Sequence, residues 1–168
     1  QETAEAFVDG WFRTGDMGKL EGETLYMTDR LKDLFKTSNG KYISPQAIEI
    51  ALTADPYIEQ VAVFGNNRNY VTAIISPSMP LLEKFAKDNN IGYDRIEETF
   101  ENPLVQKLFE EKIAAMQADF ASFEKVKKFR LIRRSFSIES GELTSTLKLK
   151  RAVIQQNYAA LIEDMYAE

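Results

Sequence analysis

The chain has 168 residues, a formal net charge of −5 and an apolar fraction of 44%, and this acidic balance argues against general nucleic-acid binding. No apolar run in the sequence reaches the roughly 20 residues that cross a bilayer. Because the chain contains neither cysteine nor histidine, disulfides, thiolate metal sites and cysteine nucleophiles are excluded, and the commonest general base near neutral pH is missing. The remaining lysines, arginines, carboxylates and hydroxyls suit phosphate or carboxylate substrates better than a hydrolytic triad.

Short strands and turns dominate the beginning of the chain. Residues 7–29 predict strands that are broken by Gly10, Gly15, Gly18 and Gly22. Residues 34–43 predict two short strands around Ser-Asn-Gly at 38–40, a good hairpin signal. Ser44 followed by proline predicts the N-cap and first turn of a helix.

The rest of the chain mixes strands and helices without a regular βαβ alternation. The predicted strands are 58–64 and 70–76, paired antiparallel across a polar turn, and 129–136. The predicted helices are 80–89, 102–120 and 151–166. This mixture predicts an α+β fold, in which an antiparallel sheet is flanked by helices and accompanied by a short β-hairpin.

Apolar periodicity and residue type predict the core. Trp11 and the phenylalanines are expected to be buried. The inward positions predicted for the last two helices are Leu104, Leu108, Phe109, Met116 and Phe120, then Ile154, Tyr158, Leu161, Ile162 and Met165.

Two residues near the beginning of the chain suit a nucleotide. Asp16 follows Thr-Gly in a predicted tight turn, where a carboxylate can accept two hydrogen bonds from a ribose diol. Alternatively, Asp16 stabilises its own turn. Arg30 offers the planar fork of donors that phosphate sites use, and its alternative is an exposed ion pair with Asp29 or Asp33 that contributes little.

A cluster of cations precedes the last predicted helix. Lys148, Lys150 and Arg151 lie at its beginning, whereas its end is acidic. Both placements oppose the helix macrodipole, at a cost of about 0.3–1 kcal/mol for each exposed charge. An anion bound at this helix start would offset that cost, and functional sites often keep such conflicts. The alternative is that these are solvated basic residues whose charges are screened by salt.

A second basic run surrounds Phe129 and Leu131. This run could contact an anionic cofactor or an acidic lipid surface. Alternatively, it forms the solvent-exposed face of a strand and of the segment that leads into it. Its members are Lys125, Lys127, Lys128, Arg130, Arg133 and Arg134.

Three strings in a fixed order carry a family resemblance. They are Trp-Phe-Arg-Thr-Gly-Asp at 11–16, Asp-Arg-Leu-Lys-Asp-Leu-Phe-Lys at 29–36 and Leu-Thr-Ser-Thr-Leu-Lys at 143–148. Together they resemble the C-terminal part of AMP-forming acyl-CoA synthetases, in the long-chain fatty acid–CoA ligase branch of the luciferase-like, adenylate-forming superfamily. The resemblance covers essentially the whole chain.

The last string departs from the family pattern. Many relatives have Pro-x-Thr-x-x-Gly-Lys, whereas Glu142 and Leu147 stand in place of Pro and Gly here. Long-chain ligases often have a proline where this chain has Ser145. Thr144 and Lys148 keep their spacing, which favours Lys148 as the family's lysine, with Lys150 as the nearest alternative.

The resemblance implies a division of the chain and a role for each matched residue. Residues 1–29 correspond to the C-terminal edge of a large ATP-binding domain, and residues 30–168 to a small mobile domain. The implied roles are ribose binding by Asp16, contact with the ribose and phosphate by Arg30, and a hinge at Lys32. The segment that contains Lys36 and Gly40 is implied to act in thioester formation, with Gly40 near the pantetheine path. Lys148 is implied to act in adenylation.

The resemblance also implies a cytoplasmic ligase that converts a fatty acid, ATP and CoA to acyl-CoA, AMP and pyrophosphate, with Mg²⁺ in the full-length enzyme and no metal-ligating residue here. We expect the chain alone to be inactive, because the family's phosphate loop and acyl pocket belong to a missing N-terminal domain. The alternatives are adenylation of another acid, loading of a carrier protein, a non-catalytic binding module and a peripheral membrane contact.

Overall fold

The computed structural model describes residues 7–30 and 33–167. Its elements alternate between small sheets and helices, which confirms the predicted α+β class. None of the helices in these residues is long and apolar enough to span a membrane.

Two antiparallel hairpins form residues 7–30. Strand β1 (Phe7–Val8) pairs with β2 (Trp11–Phe12), and β3 (Asp16–Glu21) pairs with β4 (Thr24–Arg30). The predicted break at Gly18 is wrong, because Gly18 lies inside β3. A Cβ atom there would lie 2.8 Å from the Leu25 side chain, so glycine permits the close approach of β4.

The predicted burial of Trp11 is also wrong. Its side chain is 80% exposed, and Phe12 is 59% exposed. Two-residue strands expose both faces and cannot enclose an indole ring. Asp16, predicted in a turn, is instead the first residue of β3 and follows Gly15, whose φ is +76°.

A third hairpin and a helix begin the larger part of the fold. Strand β5 (Phe35–Lys36) pairs with β6 (Tyr42–Ile43), and Phe35 and Ile43 are buried. Helix α1 (Pro45–Leu52) follows, and the Ser44 hydroxyl accepts a hydrogen bond from the Ala47 N–H at 3.1 Å. The predicted hairpin and the predicted N-cap are both confirmed.

A three-stranded sheet forms the centre of the fold. Strand β7 (Ile58–Phe64) pairs antiparallel with β8 (Val71–Pro77), as predicted. The third strand is β9 (Val126–Leu131), and it pairs parallel with β8, an arrangement that the pattern did not predict. The bounds predicted for this strand, 129–136, are wrong because pairing with β8 begins at Val126.

The connection from β8 to β9 is helical, as a parallel crossover requires. It contains α2 (Met79–Asp88), a 3₁₀ turn (Ile96–Thr99) and α3 (Pro103–Met116). Helix α3 ends before the predicted residue 120, because the backbone leaves the helical conformation at Gln117, with a φ of −107° and a ψ of 21°. The Gln117 side chain exchanges hydrogen bonds of 2.8 and 3.2 Å with the Val126 backbone. Leu104 was predicted to face inward but is 48% exposed.

The last predicted helix is two helices, α4 (Arg151–Asn157) and α5 (Ala159–Asp164). The break falls at Tyr158, whose φ of −112° and ψ of 22° are not helical. Ile154, Ile162 and Met165 are buried as predicted, whereas Leu161 is 36% exposed.

The sheet separates two hydrophobic cores. Val61, Val63 and Ile75 face the core that also contains helices α1, α2 and α3. Ala62 and Ile74 face the second core, which α4 and α5 cover. This alternation is the period-two pattern of a strand that is buried on both sides.

Candidate functional site

Lys148 lies on a hydrogen-bonded hairpin formed by residues 142–150, which we call the lysine hairpin. The Lys150 N–H donates to the Glu142 carbonyl at 2.7 Å, and the Thr144 N–H donates to the Lys148 carbonyl at 2.8 Å. Leu143 and Leu149 form an antiparallel bridge between these bonds. The segment is therefore a closed hairpin with its tip at residues 145–147.

Leu147 adopts a left-handed backbone at that tip, with a φ of +60°. This conformation costs an L-residue roughly 1–2 kcal/mol, which explains why a glycine suits the same position in the family pattern. The Thr144 hydroxyl accepts a hydrogen bond from the Lys148 N–H at 3.0 Å. This bond helps to hold the strained tip closed.

The Lys148 side chain points away from the protein core. Leu143 is buried and Leu149 is half-buried in the second core, and alternation along the hairpin places Lys148 on the opposite face. Within residues 7–30 and 33–167, no carboxylate forms an ion pair with its ammonium group. The cation is exposed and available to an anionic ligand.

An open cleft of about 1090 Å³ contains both Asp16 and Lys148 in its lining. Of the two described lysines that the sequence left as alternatives, Lys148 lines the cleft and Lys150 does not. Lys150 is instead the residue that precedes α4. The structure thus brings together an acidic and a basic residue that lie 132 positions apart in the chain.

Asp16 and Arg30 are opposite each other in the β3–β4 register. The Asp16 N–H donates to the Thr14 hydroxyl at 3.1 Å, so Thr14 shapes the entry into the strand. The structure describes the backbone of Arg30 but not its side chain. Lys32, the predicted hinge, lies outside the described residues.

Lys36 and Gly40 belong to the hairpin of residues 35–43, which we call the glycine hairpin. Neither residue is part of the described lining of the cleft. Gly40 has a φ of +78° and is exposed, and an added Cβ would contact only the Lys36 side chain, at 3.7 Å. Gly40 therefore presents an open backbone surface outside that lining, whereas Phe35 at the start of the same hairpin is part of it.

Neutral contacts hold the glycine hairpin against the turn at 65–69. The Asn67 N–H donates to the Lys36 carbonyl at 2.8 Å, and the Ser38 N–H donates to the Arg68 carbonyl at 3.0 Å. A Cβ on Gly65 would lie 2.6 Å from the Phe35 ring. Only a glycine at 65 lets this ring pack so closely on the turn.

A buried carboxylate that sequence reasoning overlooked holds the lysine hairpin. The Glu142 side chain is 0% exposed and accepts hydrogen bonds from Ser140 at 2.6 Å, Arg134 at 2.7 Å and Asn157 at 2.9 Å. Burial opposes ionisation of this carboxyl, but the three hydrogen bonds outweigh burial and hold the pKa of Glu142 below its ordinary value. The sequence showed Glu142 only as a replacement for a family proline.

A second carboxylate fixes the chain just after the hairpin. Arg151 makes a bidentate ion pair with Glu49, with distances of 2.5 and 3.1 Å. Glu49 also accepts from the Val63 N–H at 2.8 Å, and Arg151 donates to the Val63 carbonyl at 2.9 Å. These bonds tie the beginning of α4 to α1 and β7. The sequence pattern had grouped Arg151 with Lys148 and Lys150, either as an anion site or as solvated cations.

Carboxylate partners compensate much of the basic run around Phe129. Arg130 pairs with Asp164 at 2.6 Å, and Arg133 pairs with Glu97 at 2.8 Å. Arg134 is bound to Glu142, so Arg130, Arg133 and Arg134 each have an acidic partner within residues 7–30 and 33–167. This pairing weakens the case for an anionic membrane surface as the partner of the run.

No group of three or more carboxylates in the described ranges is arranged to hold a metal ion.

Comparison with known proteins agrees with the motifs. Residues 32–168 match the family described as the AMP-binding enzyme C-terminal domain. The chain is 31% identical over 170 residues to long chain acyl-CoA synthetase 2 of Arabidopsis thaliana, covering 99% of this chain and 26% of that protein. It is 36% identical over 173 residues to long-chain-fatty-acid–CoA ligase 1 of Homo sapiens, covering 99% of this chain and 24% of that protein.

A solved structure shares the fold. The chain superposes on the adenylation domain of a carboxylate reductase from Mycobacterium chelonae with a TM-score of 0.80 and 27% identity, covering 99% of this chain and 25% of that one. The chain therefore spans about a quarter of the length of the relatives that it matches. These similarities confirm the resemblance inferred from the three motifs.

Proposed function

The chain belongs to the AMP-binding enzyme C-terminal domain family, and from that premise we propose that it is the C-terminal part of a long-chain fatty acid–CoA ligase. Residues 1–29 complete a large ATP-binding domain, and residues 30–168 form the small mobile domain. The full-length enzyme converts a fatty acid, ATP and CoA to acyl-CoA, AMP and pyrophosphate. Mg²⁺ accompanies ATP in the full-length enzyme.

The observation that carries the proposal is the presence of Asp16 and Lys148 in one cleft, with no carboxylate paired to Lys148 in the described part of the chain. In the first half-reaction, a carboxylate oxygen of the fatty acid attacks the α-phosphorus of ATP. The new O–P bond forms as the bond to pyrophosphate breaks, and negative charge grows on the phosphoryl oxygens. The Lys148 ammonium stabilises that charge, while Asp16 accepts hydrogen bonds from the ribose hydroxyls and Arg30 lies by the phosphate. The step needs no proton transfer, which suits a chain without histidine.

The second half-reaction uses the glycine hairpin. The CoA sulfur, as thiolate, attacks the acyl carbonyl, the C–S bond forms and AMP leaves with the oxygen that bridged carbon and phosphorus. Lys148 lines the cleft and Gly40 does not, and a rotation of the small domain about Lys32 between the two steps would present each of them in turn. Lys148 withdraws, and the open backbone at Lys36 and Gly40 then faces the pantetheine path.

The test is to supply the full-length protein with ATP, CoA and a panel of acids while AMP and acyl-CoA are measured. We expect turnover with long-chain fatty acids, and slower turnover with short or aromatic acids. Turnover restricted to a non-fatty acid, or transfer only to a carrier protein, would contradict the proposal. The 168-residue chain alone is expected to be inactive, and acyl-CoA formation by it would contradict the assignment of the phosphate loop to the missing domain.

A further inference from the structure

The geometry of the lysine hairpin points to Glu142 as the residue that positions Lys148, and we propose this role for it. The inference rests on the proposed function and deepens it. Glu142 touches no substrate; it acts by fixing the backbone from which the Lys148 ammonium reaches the cleft.

The hydrogen-bond ladder connects the two residues directly. The Glu142 carbonyl accepts from the Lys150 N–H at 2.7 Å, and two residues further on the Thr144 N–H closes the ladder on the Lys148 carbonyl at 2.8 Å. Glu142 is therefore the base of the hairpin, and Lys148 lies beside its tip. A movement of the base is transmitted to the Lys148 backbone, because the hairpin is closed at both levels.

The Glu142 side chain holds this base at three points. Ser140 precedes the hairpin, Arg134 follows β9, and Asn157 is the last residue of α4, so the carboxylate connects three separate segments. The carboxylate is fully buried, while Arg134 is half-exposed and Asn157 is exposed. If the carboxylate is removed, water can solvate both donors. We therefore expect the base of the hairpin to loosen while the domain stays folded.

The decisive pair of variants is Glu142→Ala and Glu142→Gln in the full-length enzyme. Alanine removes all three contacts, whereas a glutamine oxygen still accepts from Arg134 and Asn157 and its amide donates to the Ser140 hydroxyl. A displacement of about 1 Å can cost about 100-fold in rate. We expect adenylation, measured as pyrophosphate exchange, to fall by about that factor in Glu142→Ala and to stay within a few-fold of wild type in Glu142→Gln.

Thioester formation from supplied acyl-adenylate separates positioning from a general structural defect. This half-reaction is expected to keep its rate in Glu142→Ala, since the Glu142 side chain binds Ser140, Arg134 and Asn157, whereas the turn at 65–69 holds the glycine hairpin. Equal losses in both half-reactions would overturn the proposal, because they indicate a merely structural role. Should Glu142→Ala fail to fold, Ser140→Ala replaces it, with a few-fold loss confined to adenylation as the supporting result and equal losses as the overturning one.

A double-mutant cycle with Lys148→Ala tests whether Glu142 acts through the lysine. If it does, adding Glu142→Ala to Lys148→Ala costs no further adenylation rate. A second loss of about 100-fold in the double variant would overturn the proposal. Normal adenylation in Lys148→Ala itself would instead overturn the proposed function, so the two failures are distinguishable.

A matched control is available in the first core. The Asp55 carboxylate is also largely buried and accepts from Lys112 at 3.0 Å and from the Tyr57 N–H at 2.9 Å. Asp55→Ala breaks a comparable ion pair far along the chain from the lysine hairpin. It is expected to leave the ratio of the two half-reaction rates unchanged, and a selective loss of adenylation in this control would overturn the argument.

Discussion

The hairpins that carry Gly40 and Lys148 are anchored by different physical means. The glycine hairpin is held by neutral backbone hydrogen bonds and by the Phe35 ring on Gly65. The lysine hairpin is held by two carboxylates, Glu142 within it and Glu49 through Arg151 just after it. One anchor depends on volume and the other on charge.

Because the two anchors differ, a substitution can disturb one half-reaction and leave the other intact. Removing one partner of a buried ion pair is costly, because the other charge is left without compensation. A close-packed ring on a glycine tolerates charge changes nearby but not an added methyl group. Substitutions that remove a charge and a change of pH therefore test the anchor of the lysine hairpin. Substitutions that change side-chain volume test the anchor of the glycine hairpin.

The largest effect on the fold is expected from Arg151→Met. The Glu49 side chain is only 10% exposed, so loss of its bidentate partner leaves an uncompensated carboxylate. We expect the free energy of unfolding, measured by urea denaturation, to fall by about 3 kcal/mol. The double variant Glu49→Gln with Arg151→Met removes both charges and should recover most of that loss. A double variant as unstable as the single one would contradict a charge-based anchor.

Gly40→Leu addresses the function of the glycine hairpin. A leucine side chain would occupy the open surface above residue 40, and we expect thioester formation to fall by about 100-fold while pyrophosphate exchange is kept. Gly22→Leu is the matched control, because Gly22 also has a positive φ, +61°, at a turn and an added Cβ there meets nothing within 4 Å. Loss of thioester formation in both variants would argue against a specific role for Gly40.

Gly65→Ala tests the volume-dependent anchor. The added methyl group would overlap the Phe35 ring, and overpacking of this kind costs about 2 kcal/mol of unfolding free energy. The second substitution Phe35→Leu removes the ring edge and is expected to restore part of the stability. If Gly65→Ala is as stable as wild type in urea denaturation, the close packing of this ring is not an anchor.

The smallest expected effect is the pH dependence that the Glu142 carboxyl gives to the free energy of unfolding. A carboxyl with a lowered pKa stabilises the fold fully above its unfolded pKa, and that contribution is lost as the pH falls through its folded pKa. We therefore expect the stability difference between wild type and Glu142→Gln to be constant near neutrality and to shrink below about pH 4.5, the ordinary value. A difference that stays constant down to pH 3 would contradict the lowered pKa.

Local signals explain what the sequence predicted correctly. Residues close together in sequence determine three features: the Ser44 cap, the glycine hairpin and the antiparallel pair β7–β8. A short stretch of sequence is therefore enough to predict each of them. The β9 bounds and its parallel pairing with β8 depend on a strand more than 50 residues away in sequence. The predicted burial of Leu104 and Trp11 was wrong, because apolar character alone does not determine which face of an element is covered by the rest of the fold.

The candidate site divides in the same way. Three motifs predicted Asp16 and Lys148, and the cleft brings the two together. The anchors Glu142 and Arg151 were not predicted, because their roles depend on distant partners. Glu49 precedes Arg151 by 102 residues, and no local pattern marks such a pair.

The most direct test of the central claim compares Lys148→Ala with Lys150→Ala in the full-length protein. Both substitutions remove one ammonium group, but of these two described side chains only that of Lys148 lines the cleft. We predict that pyrophosphate exchange falls by about 100- to 1000-fold in Lys148→Ala and stays within a few-fold of wild type in Lys150→Ala. Exchange that is kept in Lys148→Ala and lost in Lys150→Ala would contradict the account.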